Sequence, residues 1–414
     1  MKSREELRAP YWERLRREVG DDITDALRDF YELYTDELID WFAGIYDVNI
    51  GGYYYSESAR DNEGFLPDAE STCQALGFWN DSGMSAECGG GFAGAVPEWM
   101  GEDICRFISS LQDADGFFYH PQWGKDINIS RRARDLSWCV RILNSFGKAP
   151  KYPTIFDAPA SDAADTQTLI PEHLSSPEKF DEYLVSLNLN QYSYSKGSEL
   201  SSQIAQIQAR GLDGQLIAFL NSTQHPETGL WHDEANYYGV NGLMKLSGIY
   251  VSTGNLIPNA MNAAASAADA IISDEPTTSV VCLWNTWVAV SRVCAGLRKS
   301  GGEIGARQAE EIVKMMRERG VACIKKSKEK LAPFKKADGA FSYKPDSSSP
   351  TSQGVPVAIK GTPEGDVNAT VIASSLMLNS IYNALNVPND ARVPMFFECD
   401  RRRYVELLNK KHRA

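Results

Sequence analysis

Apolar residues recur at helical spacing along most of this chain. Ile104, Phe107, Ile108 and Leu111 fall at i, i+3, i+4 and i+7. Leu136, Cys139, Val140 and Leu143 repeat the stripe after a polar interval, which closes on Gly147, a residue suited to a left-handed helix C-cap. That pattern predicts a helical hairpin. Leu216, Phe219 and Leu220, then Leu243, Met244 and the run Gly248-Ile249-Tyr250, predict a second. Val371, Leu378, Ile381, Tyr382 and Leu385 supply a further apolar face near the end. Alternating strand patterns are scarce, so the expected fold class is all-α.

The connection inside each hairpin carries a repeated element. FISSLQDADGFFYH, from Phe107 to His120, aligns with FLNSTQHPETGLWHD, from Phe219 to Asp233, with one residue inserted before the glycine. Both read as Phe, two spacers, Ser, one spacer, Gln, then Gly-x-Phe or Gly-x-Trp. A third copy, FKKADGAFSY, holds Gly339 and Phe341, and a weaker fourth, GGYYYS, reads as Gly52 and Tyr54. The glycines are 64, 113 and 110 residues apart. The last two intervals are each twice about 55, which places degenerate copies near residues 172 and 284 and gives about six units in all.

Helical hairpins with Q-x3-G-x-F or Q-x4-G-x-W between their helices resemble the (α/α) toroid superfamily, in which inner helices ring a central cavity and outer helices pack around them. The resemblance extends to glycoside hydrolases and polysaccharide lyases of that fold, and to the QW motifs of terpene cyclases and protein prenyltransferases. It implies an (α/α)6 toroid over residues 45–390, with an N-terminal helical segment, 1–44, packed on it and a C-terminal basic helix, 391–414. A toroid hosts many reactions, so the resemblance implies a fold more narrowly than a chemistry.

Composition narrows the function classes. The chain has 414 residues, a net charge of −13 and a pI near 5.0, which argues against a generic binder of nucleic acid or anionic membrane. At 43% hydrophobic and 23% charged residues it has ample core, so intrinsic disorder is excluded. The charged start, MKSREELRAPYWERLRREVGDD, lacks the apolar centre of a signal peptide, which makes the cytoplasm the expected compartment. The most apolar stretch, VVCLWNTWVAV, is interrupted by Asn285 and Thr286, so no membrane span is expected. Eight scattered cysteines match neither a zinc ribbon nor a disulfide framework and read as buried small residues. The tail RRRYVELLNKKHRA reads as a basic helix pairing with the acidic body.

If inner helices begin just after each Gly-x-Phe element, the residues that follow gather at one mouth. The first such segment carries Tyr53, Tyr54, Tyr55, Arg60, Asp61, Asp68 and Glu70. The second carries His120, Trp123, Lys125, Asp126, Arg131, Arg132 and Arg134. The third carries His232, Asp233, Glu234, Asn236, Tyr237 and Tyr238, and the fourth Tyr343, Gln353, Glu364, Asp366 and Asn368. Flat aromatic faces beside dense hydrogen-bonding groups suit a sugar ring, whose C–H face stacks and whose hydroxyls need fixed partners. A prenyl cavity would be apolar with an aspartate-rich cluster, which the sequence lacks.

Two reactions on an oligosaccharide compete. Lytic β-elimination of a uronic-acid chain needs a group that neutralises the carboxylate, a base and an acid. His232 with Tyr237 or Tyr238, or His120, would move the protons. Lys125, Arg131, Arg132 or Arg134 would neutralise, and Asn236 or Asn285 would supply an amide. Tyr54, Trp123 and Tyr343 offer stacking faces, and Arg60 and Glu234 hydrogen bonds. Arg131 also stands four residues before Asp135, the spacing of a pair on a solvated helix face.

Hydrolysis instead needs two carboxylates about 5 Å apart for retention or about 6.5–9.5 Å for inversion. Asp61, Asp68, Glu70, Asp126, Glu234, Glu364 and Asp366 are the candidates, although Asp68 and Glu70 equally suit the first turn of a helix. A metal is the weaker expectation, because His232 with Asp233 or Glu234 lacks helical ligand spacing. No cofactor is expected. Outside enzymes, a toroid also serves as a sugar-binding protein or as a prenyltransferase-like subunit with a partner chain.

Overall fold

The computed structural model describes residues 3–88, 91, 93–154 and 172–413. Helices dominate, as the apolar spacing predicts. The first half contains α1 (Arg4–Val19), α2 (Asp21–Phe30), α3 (Glu37–Gly44), the short α4 (Glu57–Arg60), α5 (Ala69–Asp81), α6 (Glu98–Ser110) and α7 (Ile129–Ser145). After residue 171 come α8 (Pro177–Ser186), α9 (Leu189–Ala209, kinked at Tyr192), α10 (Asp213–Thr223), α11 (Tyr237–Thr253), α12 (Ala260–Ile272), α13 (Val280–Ser300) and α14 (Gly302–Leu331). A helix with a π-helical middle follows: α15 (Val367–Val371), the π turn Ile372–Leu376 and α16 (Met377–Ala384). α17 (Glu398–Arg413) ends the chain. Two antiparallel two-stranded ribbons, β1 (Tyr46–Asp47) with β2 (Gly52–Tyr53) and β3 (Thr351–Ser352) with β4 (Val355–Pro356), are the strands among the described residues.

Six of these helices follow one another by packing. α5 lies on α7, α7 on α9, α9 on α11, α11 on α13, α13 on α16 and its π turn, and α15 returns to α5. α6, α12 and α14 pack outside this set, against α7, α13 and each other's neighbours, while α2 covers α14 and α17 covers α3. Most of the six begin on a polar cap. Asp68, Asn128, Asn236 and Asp366 each accept a hydrogen bond from the backbone N–H three residues on, which satisfies a donor the helix cannot.

The repeated element is a tight turn that docks onto the next outer helix. Gly229 (φ +67°) lies so close to α12 that a Cβ there would stand 2.3 Å from the Ala263 nitrogen. A Cβ on Gly339 (φ +84°) would stand 2.8 Å from the nitrogen of Leu38 in α3. Only glycine fits both the backbone angle and the gap. The glutamine fastens the turn. Gln224 donates through Nε2 to the Gly229 carbonyl at 2.8 Å and accepts from Asn259 Nδ2 at 2.9 Å, and Gln112 likewise joins Tyr152 at 2.8 and 2.9 Å. The aromatic two residues past the glycine is buried in every copy, as Phe118, Trp231 and Phe341.

Three expectations change. In the weak copy the docking pair is Gly51 and Tyr53, not Gly52 and Tyr54. Gly51 has φ +92° against α6, Tyr53 is fully buried, and Tyr46 pairs with Tyr53 as Lys335 bridges to Phe341. The copy expected near 284 is not a turn, since residue 284 lies inside α13, while the one expected near 172 falls against residues 155–171, outside the described residues. Finally, α13 is by length and composition apolar enough to cross a membrane, contrary to the expectation from its interruptions. Here it is largely buried between α11, α12, α14 and α16.

Candidate functional site

The inner faces of the six successively packed helices enclose a cavity of about 220 Å³. α5 contributes Glu70 and Gln74, α7 Arg134, α9 Tyr194, α11 Met244 and Lys245, α13 Val281, Trp284 and Asn285, and the last helix Asn368, Val371, Ile372 and Leu376. Tyr343 and Gln353 close it from the loop before α15. The π turn, Ile372–Leu376, contributes its first and last residues to this wall.

The wall is polar and unevenly charged. Glu70 is its one carboxylate among the described residues, and it is already committed. Arg131 Nη1 lies 2.8 Å from Glu70 Oε2, and Ser352 donates to the same oxygen. Arg131 is itself fully buried. It pairs with Asp135 at 2.9 Å and Asp68 at 3.3 Å, and its guanidinium lies 4.4 Å from the Trp123 ring centre. Burial raises Glu70 against the lowering effect of Arg131, and raises Asp135 to about 7.

Arg134 and Lys245, by contrast, have no carboxylate within ion-pair distance among the described residues. Burial pushes Lys245 down to about 8, and the nearby Arg134 and Arg292 push the same way. Tyr194 and Tyr343 are held protonated, both raised chiefly by burial. Two side-chain oxygens at the wall have no donor, Gln74 Oε1 and Asn285 Oδ1. Asn285 is 1% exposed and spends its amide on Asn241 Oδ1 at 3.0 Å. An unpaired buried acceptor costs about 1–3 kcal/mol, and a ligand hydroxyl would relieve it.

Arg134, Asn285 and Tyr343 are therefore brought together, with Glu70, Gln353 and Asn368. His232 and Tyr238 stand behind the wall: their rings meet at 5.1 Å, Tyr238 lies 6.0 Å from Tyr194, and His232 Nδ1 meets the Asn190 carbonyl. Tyr237 is buried in the core and does not line the cavity; its hydroxyl accepts from Lys330 at 2.7 Å. His120 is a buried structural histidine. Its Nδ1 accepts from Gln122 N at 3.3 Å, so Nε2 donates to the Pro67 carbonyl at 2.8 Å, and burial lowers its pKa.

The remaining expected residues serve local structure. Tyr54 donates to Asp47, Arg60 forks onto Asp61, and Lys125 pairs with Asp113 at the surface. Trp123 donates to the Pro356 carbonyl beneath Arg131, and Arg131 holds acids rather than facing the cavity. Asn236 caps α11, and Glu234 accepts from it at 2.7 Å in solvent. Gln74, Tyr194, Lys245 and Trp284 were not anticipated. They lie within helices rather than just after a Gly-x-Phe turn, so the placement rule passed over them. Among the described residues no group of three or more metal-ligating side chains forms. No protein-family model matches the chain, and no curated protein or solved structure matches it either.

Proposed function

We propose that the chain is a six-hairpin (α/α) toroid whose central cavity holds one ring of a uronic-acid oligosaccharide and cleaves the chain by β-elimination. The carrying observation is the cavity wall: cations and amides without acid partners, buried tyrosines, and one carboxylate that Arg131 already neutralises. About 220 Å³ lies below the roughly 300–1,000 Å³ of drug-sized sites, which suits a single ring. Trp284 offers a stacking face, Gln74 Oε1 and Asn285 Oδ1 accept ring hydroxyls, and Arg134 neutralises the carboxylate.

In this reading the proton-transfer roles fall to the wall itself. At a pKa of about 8, about one Lys245 side chain in ten is uncharged at pH 7, against about one in 2,500 at the ordinary lysine value of about 10.4. The free amine takes the proton from the carbon next to the carboxylate. That electron pair forms the ring double bond, the glycosidic C–O bond on the neighbouring carbon breaks, and Tyr194 or Tyr343 protonates the departing oxygen. A two-carboxylate hydrolase is less well served, because among the described residues the wall holds one acid, Glu70. Incubation with a panel of oligouronates, followed by ultraviolet absorbance of the unsaturated product, tests the reading. New reducing ends without that absorbance would point to hydrolysis, and binding without any product to a sugar-binding protein.

A further inference from the structure

Beyond the cavity the same inner faces of α9, α11 and α13 continue as an open groove of about 450 Å³. Along α11 its wall runs from Lys245 through Gly248 to Ser252, and along α13 from Trp284 to Arg292, steps that keep to one helical face. Met244, Lys245 and Trp284 belong to both walls, so groove and cavity adjoin. Arg292 is fixed by donating from Nη1 to the Met244 carbonyl at 2.7 Å, and its remaining N–H groups have no oxygen acceptor among the described residues. No carboxylate lines the groove among those residues either, and burial without an acid to offset it lowers Arg292. In a chain of net charge −13, that is a place kept for an external anion.

The geometry points to a second anion subsite for the same ligand: with one uronate ring in the cavity, the carboxylate of a ring further along the chain rests on Arg292 between α11 and α13. This rests on the uronate reading of the cavity and narrows it to a polyuronate, in which anions recur, rather than a neutral chain with an occasional uronate. Asn285 and Arg292 are seven residues apart on one helix, about 10 Å at about 1.5 Å per residue, so the two subsites serve different rings rather than one.

The test is a calorimetric titration of the full chain carrying Lys245→Met, so that no ligand is consumed, with a uronate monosaccharide, a uronate trisaccharide and a neutral trisaccharide. The uronate trisaccharide binds about tenfold or more tighter than the monosaccharide, and the neutral one shows no such gain. Arg292→Met removes the gain and leaves the monosaccharide unchanged. Ser252→Glu, at an exposed position on the groove wall, does the same by repulsion. A trisaccharide no tighter than the monosaccharide, or a gain that survives both substitutions, overturns the subsite while the cavity reading stands. Failure of both uronates to bind overturns the two together.

Discussion

Arg131→Met removes the cation that ion-pairs with all three acids of a buried cluster, Asp68, Glu70 and Asp135. Arg131 Nε donates to Asp135 Oδ2 at 3.0 Å, the one hydrogen bond Asp135 receives among the described residues, and Arg131 Nη2 lies at ion-pair distance, 2.9 Å, from Oδ1. Asp68 keeps Ser71 N and Oγ at 3.0 and 2.6 Å, and Glu70 keeps Ser352, so those two are partly compensated. Breaking one partner of a buried pair costs about 3–5 kcal/mol, and three acids left behind place the expected loss at the upper end of that range at pH 7.5. Without the cation the burial that already raises Glu70 and Asp135 acts on them unopposed by Arg131, so the folded state gains as pH falls and the loss shrinks by pH 5.5. Adding Asp135→Asn recovers about 1–2 kcal/mol, because an amide needs no countercharge. Urea unfolding of the unsubstituted chain and the two variants at both pH values gives these differences directly. A loss under about 1 kcal/mol at pH 7.5, or an equal loss at both, would refute the reasoning.

Gly229→Ala sets a methyl group against the α12 backbone at a left-handed angle and lowers stability by about 2–4 kcal/mol, visible as a depressed thermal midpoint; an unchanged midpoint contradicts the docking role. Burial raises both Asp135 and Asp366 to about 7, above their unfolded value of about 3.9. The folded state therefore holds more protons across that window, and stability rises as pH falls from 7.5 towards 5.5; a midpoint that falls instead counts against both assignments. Lys245→Met abolishes cleavage of an oligouronate. In the unsubstituted chain the rate climbs with pH through about 8, and a rate flat across that range removes Lys245 as the base.

What the sequence revealed followed how local each signal was. Apolar stripes three and four residues apart determine which face a helix buries, so the hairpins were legible. The Gln and Gly of the repeat could be read because each meets a backbone demand that few other residues satisfy. The weak copy was misplaced by one residue because GGYYYS offers a glycine two before a tyrosine in two registers, and only packing against α6 selects Gly51. The repeated Asp-x-x-x-Thr of DAEST and DVNAT went unread. In it the capping Asp is followed by a Thr whose hydroxyl accepts the N–H of Tyr53 or Phe341, at 3.0 and 2.9 Å.

At the site, loop position was a poor guide. The residues just after each turn mostly cap helices or pair at the surface, whereas the cavity is built one to two turns deeper, where Gln74, Tyr194 and Lys245 lie. Which side of a helix faces the centre depends on its neighbours, and no spacing within one segment encodes that. Arg131 shows the same limit: the i, i+4 pair with Asp135 was legible, but its burial beneath α5 was not.

A crystal of the Lys245→Met variant soaked with a uronate disaccharide tests the central claim most directly. The account predicts a pyranose ring in the cavity, its carboxylate on Arg134 and its hydroxyls on Gln74 Oε1 and Asn285 Oδ1. A disaccharide bound elsewhere, or an empty cavity at saturating ligand, would contradict it.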